Sequence, residues 1–249
     1  MMYRGAMLIR GLRDVSGVLF FVILWAALFK TKAEISGFTF SAMVTYYILV
    51  KIIDQIYSYE PSRLINEDII NGDLSNYLTK PVKYFFYRLF FSVGRRFARV
   101  LTSFTLIFLA FIFLPQWVVF PPNFESLLFF IISAIFSWIL LYELAFIVGT
   151  ISFWTSGNDG LRTAFDQLIG LLGGIWVPLS LFPKQMADIL NVLPFRYLYF
   201  QLVQIYQGKI IGDDLYFSVM IQVLWVAIFS LLCGYLWNRG LKKYESYGK

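Results

Sequence analysis

Long apolar runs separated by short charged segments dominate this chain. Stretches free of Asp, Glu, Lys and Arg cover residues 15–29, 35–50, 100–124, 126–142, 167–183 and 215–238, the fourth resuming beyond Glu143 as far as 154. A bilayer core about 30 Å thick is crossed by roughly 17–25 mostly apolar residues in a helix, so the pattern predicts an all-α protein with six transmembrane helices. The first two runs are short and need tilt or snorkelling polar ends to span.

Basic residues orient this layout, because short cytoplasmic loops hold the Lys and Arg excess. With both termini inside, fifteen of the 21 basic residues are cytoplasmic, among them Arg4, Arg10, Arg13, Arg88, Arg95, Arg96, Arg99 and Arg239. Lys30, Lys32, Lys184, Arg196 and Lys209 fall outside, and Lys51 lies within the second span. Much of the net charge of +6 is therefore a topology signal; basic clusters against anionic headgroups account for it without a nucleic-acid partner. Residues 3–13 alternate basic with apolar positions and read as an interfacial elbow helix. Five further spans argue against a cleaved signal peptide.

Between the spans two segments stand out. The inner one, 60–83, begins with a break at Pro61. Leu64, Ile65, Ile69 and Ile70 fall on one broad helical face, Gly72 ends that helix, and Leu74, Tyr77 and Leu78 form a second short turn before Pro81. This is either a compact amphipathic knob or a solvated loop resting on the membrane. The outer one, 178–208, is apolar yet broken by Pro178, Pro183 and Pro194. It reads as a helical hairpin dipping into the outer leaflet, where irregular backbone survives only under protein cover. No repeat is visible, so residues 1–249 form a single domain.

Composition narrows the chemistry. Apolar residues make up 59% of the chain and charged ones 14%, against about 45–50% and 25% in ordinary soluble domains. One cysteine, Cys233, permits no intrachain disulfide, and without histidine the commonest metal ligand and general base are missing. There is no G-x-x-x-x-G-K-[ST] loop, so the chain does not hydrolyse ATP itself, and no GxSxG, HExxH or CxxC arrangement supports hydrolytic or redox work. No catalytic residue and no metal site are expected.

Charges inside spans are costly and mark function or pairing. Lys51 and Asp54 lie three apart on one face and can neutralise each other, whereas Glu143 has no partner on its own helix. It is protonated, faces water, meets a cation from another helix, or hydrogen-bonds between helices. Gly170-x-x-x-Gly174 permits close helix approach, a frequent and weak signal. Tyr46, Tyr47, Tyr57 and Tyr59 can line a pathway for amphipathic or cationic cargo, while an interfacial aromatic belt accounts equally for the last two.

Taken in order, these segments resemble the permease subunits of type-2 ATP-binding cassette exporters. The likeness is to a branch that often pairs two different permeases with a separate ATPase. It is carried by Glu67 through Pro81, similar to E-x-I-x-x-G-x-L-x-x-x-L-x-[KR]-P with Asn71 where a basic residue is common. It is carried also by Phe153-Trp154, Gly160-Leu161-Arg162, Pro178 through Pro183, Leu193-Pro194-Phe195, Tyr206 through Gly208, and the tail Leu236 through Leu241. The resemblance implies that the 60–83 segment is a coupling helix, with Asp68, Ile69, Gly72, Asp73, Leu74, Tyr77 and Lys80 contacting the ATPase. It implies a cargo path between spans two and five, touching Tyr46, Leu49, Ile53, Leu168 and Leu172. It implies an outer hairpin shaped by Pro178, Phe182, Pro183, Pro194 and Phe195 that helps close the exit. Glu143 departs from the small or apolar residue expected there.

These observations lead to the expectation of a multi-pass inner- or plasma-membrane permease with cytoplasmic termini. Two ATPase subunits holding ATP and Mg, and a second permease, homologous or identical, complete it, and the cargo is amphipathic or hydrophobic. A motor-less channel or lipid scramblase is the alternative, and a ligand-binding immunity or sensor protein a third.

Overall fold

The computed structural model describes residues 16–17, 19–57, 59–94, 115–155 and 157–244. The elbow segment 3–13 and most of the third apolar run lie outside the described residues. Within them the chain is helical, and the only β-feature is a single bridge between Ile35 and Phe38. In chain order the helices are α1 (Leu19–Leu28), α2 (Phe40–Ile56), α3 (Glu60–Ile70), α4 (Leu74–Leu78) and α5 (84–94). There follow α6 (Phe124–Thr150), α7 (Asp159–Leu172), α8 (Lys184–Val192), α9 (Phe200–Tyr206) and α10 (Gly212–Leu241).

Two of these are long and apolar enough to cross a membrane: α6, extended by a 3-10 turn to Phe153, and α10, each 30 residues or about 45 Å of helix. They coincide with the fourth and sixth predicted spans. The Asn123 side chain caps α6 by accepting the Ser126 N–H at 2.8 Å, and Thr39 caps α2 by accepting from Ala42 at 3.3 Å.

The predicted fifth span is the element that changes most. The charge-free run 167–183 was expected to hold a helix interrupted at Trp176 and then Pro178, but helix α7 starts at Asp159 and stops at Leu172. The chain then reverses at Gly174, whose φ of +89° suits glycine. Gly170 and Gly174 therefore serve this turn rather than a helix crossing. The Trp176 ring covers Gly170 so closely that an added Cβ would meet it at 2.7 Å, and one at Gly174 would meet the Tyr46 hydroxyl at 2.6 Å.

Helix α6 is the spine. Helix α10 runs beside it from Phe129, which meets Tyr216, to Phe146, which meets Trp237, α9 packs on it too, and α3 crosses it near Gly149. An added Cβ on Gly149 of α6 would sit 2.7 Å from Ile65 Cβ. Two apolar cores result. The larger gathers Tyr46, Tyr47, Leu140, Leu144, Leu198 and Leu202 from α2, α6, α9 and the turn before α9. The smaller joins Ile65, Ile69, Leu74, Tyr84, Phe146 and Phe153 at the α3–α5 end, with Trp237 of α10 packed against them.

Candidate functional site

The knob predicted between 60 and 83 is folded. Pro61 occupies the first turn of α3, a position with no intrahelical N–H bond to lose. Gly72, at φ +79°, reverses the chain into α4. The amphipathic face is narrower than the spacing implied: Ile65 and Ile69 are buried, Leu64 is half-buried and Ile70 is exposed.

The seven residues expected on the ATPase do not share one surface. Asp68, Ile69 and Leu74 are buried inside the chain. Gly72 and Tyr77 are half-covered, and Asp73 and Lys80 are exposed. The first three were assigned to the outside because helical spacing gives a stripe but not which neighbour covers it. What the knob presents is Ile70 and Leu78, each 44% exposed, and Val82 at 49%, beside exposed Asn71, Asp73, Asn76, Lys80 and Lys83.

Asp68 is held from within by residues whose role sequence reading missed. Its Oδ2 accepts from the Tyr84 hydroxyl and from Arg88 Nη2, and from Arg88 Nε at 2.8 Å. Burial, and then the Asp68 charge, push the Tyr84 phenol up, which keeps it a donor. Burial alone would lower the Arg88 guanidinium, but Tyr84 and Asp68 outweigh it and the net shift is upward. Lys80 lies 4.6 Å from the centroids of both Tyr77 and Tyr87, and Arg88 4.8 Å from that of Tyr77, within cation–π range. The available signal was an aromatic-rich turn, Tyr84 to Arg88, one helical turn apart beyond Pro81; Arg88 counted only toward topology.

The pathway residues divide as well. Tyr46 and Ile53 are buried in the chain's own core, Leu49 and Leu172 pack against that core, and Leu168 is exposed. The tyrosine hydroxyls are tied to backbone: Tyr46 donates to Gly174 O at 2.5 Å, Tyr47 to Trp176 O at 2.9 Å and Tyr57 to Ala134 O at 2.6 Å. They hold the reversal after α7 to α2 and α2 to α6. Helix α7 is open along most of its length, with Thr163, Asp166, Gln167 and Leu168 exposed.

Among the intramembrane charges, Asp54 lies 3.5 Å from the Tyr199 hydroxyl, and Lys51 is half-buried on the same helix. Glu143 is fully buried and accepts from the Ser230 hydroxyl of α10. Among the described residues its Oε2 has no hydrogen-bond partner. Nearby, Gln222 of α10 donates to Ser133 O at 2.9 Å and Ser137 Oγ at 2.8 Å and accepts from Ser133 Oγ at 2.7 Å. Ser137 in turn donates to Tyr197 O at 2.5 Å. This network fastens the segment after α8 to both long spans, and only the polar residues interrupting two apolar runs hinted at it.

The prolines of the 178–208 segment fall at element boundaries. Pro178 precedes a 3-10 turn, Pro183 precedes α8, and Pro194 opens another 3-10 turn. Phe182 and Phe195 pack against the larger core. On α8, Leu190 is buried while Met186, Ile189 and Val192 are exposed.

Two membrane-length helices are thus flanked by a proline-broken apolar segment at one end and a folded knob at the other. The chain belongs to the ABC-2 family of transporter proteins, whose family model matches residues 16–248. Among curated proteins and among solved structures nothing matches it. It is a membrane transporter subunit.

Proposed function

We propose that this chain is one of two permeases of an ATP-driven exporter for an amphipathic or hydrophobic compound. The second permease is homologous or identical, and two ATPase subunits holding ATP and Mg power the pair. It forms one domain with six spans, both termini and the 60–83 knob on the cytoplasmic side, and the 178–208 hairpin facing out. ATP-driven closure of the ATPases moves the knobs, and the permease pair rocks between two packings.

The observation that carries this reading is the apolar tip of Ile70, Leu78 and Val82 on a knob otherwise packed against the spans. Exposed apolar side chains rimmed by polar ones mark a protein contact. Asp73 and Lys80 stay in the proposed contact, together with these three; Asp68, Ile69 and Leu74 support it from behind. Support for a second permease comes from the uncovered stripe of α7, because lipid offers no hydrogen-bond partner to a polar residue such as Gln167 at the start of that apolar run. A cargo path between α2 and α7, on the open Leu168 side, fits the same stripe.

Pull-down of the tagged chain from native membranes tests the reading, with mass spectrometry expected to find a partner bearing a Walker motif. Leu78→Asp with Val82→Asp should abolish that capture while leaving thermal unfolding in detergent nearly unchanged, since exposed substitutions shift stability by only about 0.5 kcal/mol. Capture of no such ATPase, with purified chain dissipating a dye gradient unaided, would favour a motor-less channel.

A further inference from the structure

The Asp68–Tyr84–Arg88 cluster lies behind the exposed tip, and all three side chains are buried. It joins α3, which carries the knob, to α5. A single oxygen, Asp68 Oδ2, collects the Tyr84 hydroxyl and both Arg88 nitrogens, and Arg88 Nε lies 3.1 Å from the Tyr84 oxygen. From there contact continues to the long spans. The Tyr84 ring stacks on Trp237 of α10 with centroids 4.8 Å apart and planes 7° apart. Trp237 touches Phe146 and Phe153 at 5.4 and 5.5 Å, and Tyr142 of α6 donates to Phe85 O at 2.6 Å.

Two contacts thus fix the knob, one from α3 to the spine and one between α3 and α5, and they differ mechanically. The crossing of α3 over Gly149 is apolar packing with one neutral hydrogen bond, from Ser152 Oγ to Asn66 Oδ1 at 2.6 Å, and apolar contacts are not directional. The charge cluster has fixed geometry, because separating its members would leave a charge buried without its partner. Stability alone gives little reason for it, since apolar packing of similar volume often serves as well as a buried ion pair. What a bonded cluster adds is one enforced arrangement of α3 and α5.

We propose that Asp68, Tyr84 and Arg88 are positioning residues for coupling, making α3 and α5 move as one body and delivering that movement to α10 through the Tyr84–Trp237 stack. The proposal rests on the exporter reading above. It assigns the three residues no contact with the ATPase, so seating and transmission are separable by substitution.

The test uses the complex captured with its ATPase. Nitroxide labels go on cysteines replacing Ile189 of α8 and Phe217 of α10, both well exposed, in a Cys233→Ala background. Pulsed EPR reads the distance between them before and after trapping with ATP and vanadate. The chain without further substitution is expected to change that distance on trapping. Arg88→Lys and Trp237→Leu should keep ATPase capture and ATP hydrolysis, yet the shifted fraction should fall roughly tenfold, the size of an ordinary inter-site coupling. Tyr84→Phe, which keeps the ring and removes the hydroxyl, should fall less. A normal shift in all three would overturn the proposal, and so would loss of capture in proportion to loss of the shift. If Arg88→Lys and Trp237→Leu do not accumulate, Tyr84→Phe decides alone, and a wild-type shift there overturns the proposal. No shift without these substitutions, despite active ATPase, would instead overturn the exporter reading.

Discussion

At one end of α6 the knob of α3 to α5 is fastened by full charges and aromatic stacking, whereas at the other the segment from Gly174 to Gly208 is fastened mostly by neutral hydrogen bonds. Asp68, Arg88 and the Lys80 contacts with Tyr77 and Tyr87 belong to the first kind. Tyr46 and Tyr47 on the carbonyls of Gly174 and Trp176, and Ser137 on that of Tyr197, belong to the second. The contrast follows from the proposed surroundings. Next to water a charged cluster can form, because its rim stays solvated, while within a bilayer each broken helix exposes backbone that must find an internal partner. Strong, specific bonds thus sit where the proposed motion would be received, and backbone satisfaction where the chain must bend.

Three substitutions would break or sharpen this contrast. The largest effect is expected from Asp68→Ala, which leaves the Arg88 charge buried and should cost about 3–5 kcal/mol. Hydrogen exchange should rise over residues 60–88 and stay unchanged over 178–208; equal deprotection at both ends would show that the ends are not independent. Next, Gly174→Val forces a β-branched residue into positive φ against the Tyr46 hydroxyl, at about 2–4 kcal/mol. Here the hairpin should loosen and the knob should not, read by limited proteolysis. Smallest is Tyr46→Phe, which deprives the Gly174 carbonyl of its donor and should lower stability by about 1–2 kcal/mol in thermal unfolding. If Tyr46→Phe matched Gly174→Val in cost, the bend would depend on the hydrogen bond more than on the glycine.

Much of the frame was legible in the residue order, for reasons particular to each element. The runs at 126–154 and 215–238 needed no tertiary information to be read as helices of spanning length, since a bilayer core takes roughly 17–25 mostly apolar residues. Pro61, Gly72, Pro183 and Pro194 placed helix ends correctly because their backbone restrictions act locally. Asp68 went to the wrong side: an acidic residue beside a glycine turn resembles a solvated one until its cation appears twenty residues later. Leu74 looked like a contact because helical spacing shows a stripe and not its cover. The break in the fifth span was read at Trp176 and Pro178, later than it falls, because Gly173 and Gly174 do not by themselves end an apolar run; the helix stops at Leu172, with the Trp176 ring folded back over Gly170.

Composition and periodicity thus determined that the chain is helical and rich in membrane-length apolar runs, and the positions where it had to bend, all consequences of local backbone freedom and of the apolar length a bilayer requires. The packing alone decided which face of each helix is covered, that the buried charge on α3 is met by α5, and that the knob's exposed tip is Ile70, Leu78 and Val82. Those outcomes depend on contacts between segments tens of residues apart, whose energies no local pattern encodes.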